Sequence, residues 1–125
     1  MSKIPENIIK EWENKEGPII LTTVSKEGVP NSIYATCVNL YDDEKIVVAD
    51  NYFNKTKNNL MENNQASILF YTKDDKAYQL KGKIDYLKTG KIFNDMKSWN
   101  PEKHPGHGAA TMSVSEIYTG SEKIL

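Results

Sequence analysis

Val47-Val48-Ala49-Asp50-Asn51-Tyr52-Phe53-Asn54-Lys55-Thr56-Lys57-Asn58-Asn59-Leu60, followed by Asn64-Gln65-Ala66-Ser67-Ile68-Leu69-Phe70-Tyr71, is the stretch on which the fold turns. It opens on the end of a β-branched run, Ile46-Val47-Val48-Ala49, which reads as a strand. A polar loop with two aromatics follows, residues 50–56. Lys57 to Asn63 reads as a short helix, with Leu60 and Met61 facing inward. Ala66 to Tyr71 then reads as a second apolar strand.

The flanks carry the same reading. Residues 4–14 fit an amphipathic helix, with Ile4, Ile8, Ile9 and Trp12 near one face and Pro5 in the first turn. Gly17-Pro18 ends it, and Ile19 to Val24 is β-branched. Beyond a turn at Lys26-Glu27-Gly28, one strand is expected from about Asn31 to Tyr41, because apolar and polar residues alternate along it. Ala77 to Leu87 reads as a long strand interrupted at Gly82, and Thr89 to Trp99 as a helix. Asn100 to Gly108 holds two Pro and two His and reads as a loop. Thr111 to Tyr118 reads as a last strand. Short strands linked by hairpins favour a mainly β, antiparallel barrel over a doubly wound sheet, in one domain covering residues 1–125.

Composition narrows the function. With 38% hydrophobic and 26% charged residues, the chain has the balance of a globular domain. No apolar run approaches the ~20 residues of a membrane span, and the first residues lack the apolar core of a signal peptide. The single Cys37 allows no internal disulfide, and the expected compartment is cytoplasmic. Sixteen basic residues face seventeen acidic ones, for a net charge of -1. All the basic residues are Lys. Without Arg, the planar fork used for phosphate and guanine recognition is missing, so a nucleic-acid role is not expected.

Several residues could carry chemistry. Asn54-Lys55-Thr56 lies where the loop enters the short helix. A helix start offers free N–H groups suited to a phosphate, Lys55 adds a point charge, Thr56 adds a hydroxyl, and Asn58 and Asn59 offer amides one turn on. The same residues fit a capped surface helix, with Asn54 or Thr56 as the cap and Lys55 solvated. Ala49-Asp50-Asn51-Tyr52 could present backbone groups and an amide to the edge of a flat ligand, or simply end a strand. His104-Pro105-Gly106-His107 fits a surface loop better than a metal site, with contact to a ligand edge or supply of a proton as another role. Cys37 reads as a structural thiol.

Taken together, the quoted stretch resembles the pyridoxamine 5'-phosphate oxidase family. The resemblance extends to Gln79 in Tyr78-Gln79-Leu80-Lys81-Gly82, and to the end of the chain from Gly108-Ala109-Ala110 through Glu116-Ile117-Tyr118-Thr119-Gly120. It covers roughly residues 17–120 and implies the FMN-binding split β-barrel, antiparallel and Greek-key-like, of the short FMN-binding type. By this resemblance Lys55 and Thr56 hold the FMN phosphate. Ala49, Asp50 and Asn51 run along the isoalloxazine edge, Ser32 and Tyr34 line the same cleft, and Gln79 reaches the ring. The family forms homodimers with flavins at the interface, which gives residues near Trp99 to Ala110 a role toward the partner's flavin.

The chain also departs from the family. True oxidases place an Arg and a Lys on the strand where this chain has Tyr34 and Asn39, and they bind substrate phosphate with Arg. The expectation is therefore an FMN-dependent oxidoreductase or electron-transfer protein with an unidentified redox partner or small-molecule substrate, without pyridoxamine phosphate oxidation. Asp50 near the ring would disfavour an anionic reduced flavin and lower its potential. The alternatives are F420 or haem in the same barrel, haem taking His104 or His107 as its ligand. Outside the flavin class stand a barrel stacking single-stranded nucleic acid on Tyr34, Tyr52, Phe53 and Tyr71, and a cofactor-free dimeric protein.

Overall fold

The computed structural model describes residues 3–125. Among these residues eight strands join one antiparallel sheet, in the order β2-β1-β5-β6-β7-β4-β3, with β8 added to β7. The strands are β1 (Ile19–Val24), β2 (Pro30–Ala35), β3 (Val38–Tyr41), β4 (Lys45–Asp50), β5 (Gln65–Tyr71), β6 (Ala77–Leu87), β7 (Gly108–Thr119) and β8 (Glu122–Lys123). The helices are α1 (Glu6–Glu13), α2 (Lys55–Glu62) and α3 (Lys91–Trp99). The sheet curls into a split barrel. Among the described residues no helix is long and apolar enough to cross a membrane.

The single strand expected over 31–41 is two strands. β2 and β3 follow one another in the chain yet form opposite edges of the sheet order. Thr36 and Cys37 make the crossing: Val38 N–H donates to Thr36 O at 3.1 Å, and Ala49 N–H to Cys37 O at 2.9 Å. The crossing slips the side-chain alternation by one residue. Ile33 and Ala35 pack inward on one side of it, Val38 and Leu40 on the other. No strand pairing joins the two edges, so a seam runs between them.

The barrel interior holds Ile19, Leu21, Ile46, Val48, Ile68, Phe70, Leu80, Met112 and Ile117. Helix α1 lays Ile8 and Trp12 into it, where Trp12 meets Phe70 edge-on at 5.3 Å. A second, smaller cluster forms outside β4 and β7, where α3 packs Met96 against Val47, Ala49 and Ala109. This is why β4 is buried on both faces: each face has its own apolar cover.

One bulge shapes the long hairpin. Lys81 pairs with Glu116 but Gly82 pairs with Val114, so Ser115 is the extra residue. A Cβ on Gly82 would lie 2.0 Å from Ser113 O, and that approach is open only to glycine. The strand expected from Thr111 is β7, which starts at Gly108 and is followed by the short β8, and helix α2 starts at Lys55 rather than 57.

Candidate functional site

The seam opens into a cavity of about 300 Å3 lined by Ile33, Tyr34, Ala35, Thr36, Cys37, Ala49, Asn51, Tyr52, Phe53 and His104. Its walls come from β2, from the crossing, from the end of β4 and from the loop before β7. Three of the expected site residues, Tyr34, Ala49 and Asn51, are therefore brought together, and His104 joins them. No carboxylate or ammonium side chain lines this cavity among the described residues.

Asp50 is placed differently from the sequence expectation. Its side chain is 1% exposed and turned away from the cavity. One carboxylate oxygen accepts the Phe53 N–H at 2.9 Å, and the other accepts the Tyr86 hydroxyl. Burial, and then the Asp50 carboxylate, push the Tyr86 phenol well above its ordinary pKa. The ring of Tyr86 lies against Gly108, where a Cβ would come within 2.4 Å of it, and Lys57 Nζ sits 5.3 Å from the ring centre. With its oxygens committed in this way, Asp50 positions the loop, and its charge does not face the cavity.

Asn51 is buried, and both its amide oxygen and its amide nitrogen are bonded. It exchanges two amide hydrogen bonds with Asn100, at 3.1 and 2.9 Å, and its side-chain oxygen also accepts the Gly106 N–H at 3.0 Å. The amide that sequence reasoning assigned to a ligand edge instead ties the 100–107 loop to the end of β4. His107 N–H donates to Asp50 O at 2.8 Å, but its side chain is exposed and lines no part of the cavity.

Past Phe53 the chain enters α2. Asn54 gives the helix no side-chain cap, and no acidic residue stands in the first turn. Lys55 is exposed and makes no ion pair or side-chain hydrogen bond among the described residues. Thr56 is buried, and its hydroxyl accepts from Asn31 Nδ2 at 3.3 Å, keeping its own proton to donate. Asn59, expected as a ligand amide, instead donates to Thr23 Oγ1 at 3.0 Å in the interior.

Ser32 and Gln79 lie outside the cavity. Ser32 shares a 2.7 Å hydroxyl pair with Thr22 and borders a shallower hollow that Tyr34 and Ile20 also line. Gln79 stands on β6 in a polar groove with Ser67 and Lys81. The register sets Tyr34, Ile20, Leu69, Gln79 and Tyr118 in one row across five strands. At ~4.8 Å per strand, Gln79 is about 14 Å from Tyr34. Tyr34 and Leu69 in this row are 75% and 40% exposed, an apolar stripe on the outer face.

The matching family model, pyridoxamine 5'-phosphate oxidase, spans residues 6–119. The chain belongs to the pyridoxamine 5'-phosphate oxidase family. The uncharacterised protein MJ0282 of Methanocaldococcus jannaschii is 34% identical over 122 residues, covering 93% of this chain and 80% of its own. Two solved structures share the fold at 19% identity. HupZ from Group A Streptococcus has a TM-score of 0.82 with 96% of each chain covered. An FMN-binding protein from Syntrophomonas wolfei has a TM-score of 0.75 with 94% and 97% covered. The fold is also that of HutZ, the haem storage protein of Vibrio cholerae (TM-score 0.66, 16% identity, 93% and 94% covered). An F420 reductase has it too (TM-score 0.66, 14% identity, 92% and 98% covered). The fold thus carries proteins described by three different cofactors.

Tyr86, Asn100 and Asn31 are the site residues that sequence reasoning missed. Each acts by reaching a partner far along the chain, and no local pattern marks such a pairing.

Proposed function

We propose that this chain is an FMN-binding flavoprotein, a small oxidoreductase or electron-transfer protein of its family, working as a homodimer. The observation that carries this reading is the start of α2. It is uncapped, free of acidic residues, flanked by Lys55 and Lys57, and set directly beside the seam cavity. A helix N-terminus of that kind suits a phosphate, and the cavity's aromatic and amide walls suit a flat polar-edged ring. Lys55 would hold the phosphate as a point charge, with the Thr56 hydroxyl and the free backbone N–H groups completing the cradle. Bound FMN would supply the redox chemistry, and the protein would orient it and exclude solvent.

The separation of Gln79 from the cavity supports a dimer. A second copy packed on the outer stripe could bring its own Gln79 and its own 100–107 loop toward the neighbour's cavity. Ser32 and Tyr34 would then lie beneath the partner rather than in solvent.

The deciding experiment compares FMN with riboflavin, which lacks the phosphate. Wild-type protein should retain FMN after desalting and quench its fluorescence. Lys55→Ala should weaken FMN about tenfold, as expected for one charge-assisted contact, and leave riboflavin unchanged. Equal losses for both ligands would move the phosphate elsewhere, and no retention of FMN by the wild type would end the flavin reading.

One observation favours a second reading. His104 brings to the cavity an imidazole, a side chain that can ligate haem iron. A Soret band after haemin addition, lost in His104→Phe, would shift the assignment to haem.

A further inference from the structure

The cavity wall formed by the 100–107 loop is held from several sides. Asn51 grips it through Asn100 and through the Gly106 N–H. Lys97 Nζ donates to Pro105 O at 2.8 Å. Within the loop, His104 N–H donates to Pro101 O at 3.0 Å. These bonds fix where the His104 imidazole stands.

Among the described residues the imidazole ring has one partner, Tyr52. Tyr52 Oη lies 3.1 Å from Nδ1, and the two rings meet edge-to-face at 5.5 Å. Tyr52 is at the rim, so the pair stands at the mouth of the cavity. Because an imidazole nitrogen is a stronger acceptor than a phenol oxygen, the pair is assigned with the hydroxyl donating and Nδ1 accepting. The proton of the neutral ring is then on Nε2, which makes no bond to any described residue. The other titratable side chains on the cavity wall are Tyr34, Cys37 and Tyr52. The Asp50 carboxylate faces Tyr86 from the end of β4, and Lys97 of α3 is tied to the loop backbone.

We propose that His104 presents its Nε2–H to the polar edge of a flavin bound in this cavity, and that this donor sets how firmly the reduced form is held. The proposal rests on the flavin reading and names a residue within that site. Two-electron reduction of a flavin adds negative charge to the ring. In a cavity without ammonium or carboxylate side chains, the His104 Nε2–H is a donor with no bond to any described residue, free to answer that charge. The direction is opposite to that expected of Asp50 from the sequence: the potential is raised by His104 and not lowered by Asp50. Tyr52 is a positioning residue, since it acts by fixing the imidazole tautomer.

The test uses the full chain with 15N-labelled histidine and FMN as the probe. Long-range proton–nitrogen correlation at pH 8 should report the Nε2–H tautomer for His104, and Tyr52→Phe should shift the tautomer balance. Adding FMN should move the His104 Nε2 resonance and leave His107 in place, with flavin fluorescence quenching reporting occupancy in the same sample. Potentiometric titration should then show the reduced form held about tenfold less firmly in His104→Phe. That is a drop of about 30 mV for a two-electron couple. His104→Gln keeps an N–H donor and should recover most of it. If FMN binds but the Nε2 resonance does not move, or the three potentials coincide, the role of His104 is overturned and the flavin reading survives. If FMN does not bind the wild type, both fall.

Discussion

The Tyr86 hydroxyl donates to the buried carboxylate of Asp50, whose other oxygen accepts the Phe53 N–H. This contact joins the middle of the chain to the loop that leads into α2. It fixes the direction in which that loop leaves β4, and with it the place of Lys55.

Removing the hydroxyl should therefore cost stability. Tyr86→Phe leaves a carboxylate oxygen buried without its donor, and such a group costs about 1–3 kcal/mol. Urea denaturation should show the loss as a lower midpoint with an unchanged slope. The pH dependence has a definite sign. The folded state holds the phenol proton more tightly than the unfolded chain does, since its pKa is raised. The contribution is thus complete below about pH 10, the pKa of an unfolded tyrosine, and is lost as pH rises beyond it. Other tyrosines titrate in the same range, so the measure is the wild-type stability minus that of Tyr86→Phe. That difference should shrink above pH 10.

Asn51→Ala should release the 100–107 loop. The substitution deprives the Asn100 side chain of both its bonds and the Gly106 N–H of its acceptor. A loss of about 2–4 kcal/mol follows from several buried groups left unpaired. Hydrogen exchange should speed up at Gly106 and across the loop, with β5 and β6 unaffected. Unchanged exchange at Gly106 would mean that Lys97 and the His107 N–H bond to Asp50 O hold the loop without Asn51.

Gly82→Ala should destabilise strongly. The added methyl meets a backbone carbonyl, Ser113 O, and not a side chain that can swing aside. The β6–β7 pairing would have to open at the bulge, at a cost of about 1–3 kcal/mol or more. Thermal melts should place this variant well below Gly28→Ala, where nothing lies within 4 Å of the new Cβ but φ is +88°. Equal melting points would mean that backbone strain, and not the clash, sets both losses.

The outer stripe should be where two copies meet. Leu69→Glu puts a charge in the middle of it, at a residue 40% exposed and outside the seam cavity. Sedimentation should show the wild type at twice the 14.2 kDa chain mass and the variant at the single mass. Far-UV spectra should match. A variant that stays dimeric would place the interface on another face.

Much of this was readable in the chain. The Val47–Tyr71 stretch gave its strand, loop, helix and strand in the right order, and Lys55 and Thr56 do stand at a helix start. What escaped was long-range or lacked a breaker residue. Thr36-Cys37 carries the chain across the seam with no Gly or Pro to mark it. The phase slip between Ala35 and Val38 was present, but it reads as one strand unless parity is followed residue by residue. Ser115 does the same in β7. Asp50 was expected beside a ligand together with its neighbours Ala49 and Asn51. Only the pairing with Tyr86 shows that its side chain points the other way. The Asn51–Asn100 exchange joins residues 49 apart, and neither has a local feature that names the other.

The strand order also governs how the protein is made. β4 is buried on both faces and pairs with β7, the last long strand of the sheet. While the chain emerges from the ribosome, Ile46-Val47-Val48-Ala49 has only the short β3 beside it and waits for nearly everything else to be synthesised. Such an edge invites pairing with another chain. Nascent chains stopped before Gly108 should consequently engage holding chaperones at this segment, and release should coincide with the emergence of β7.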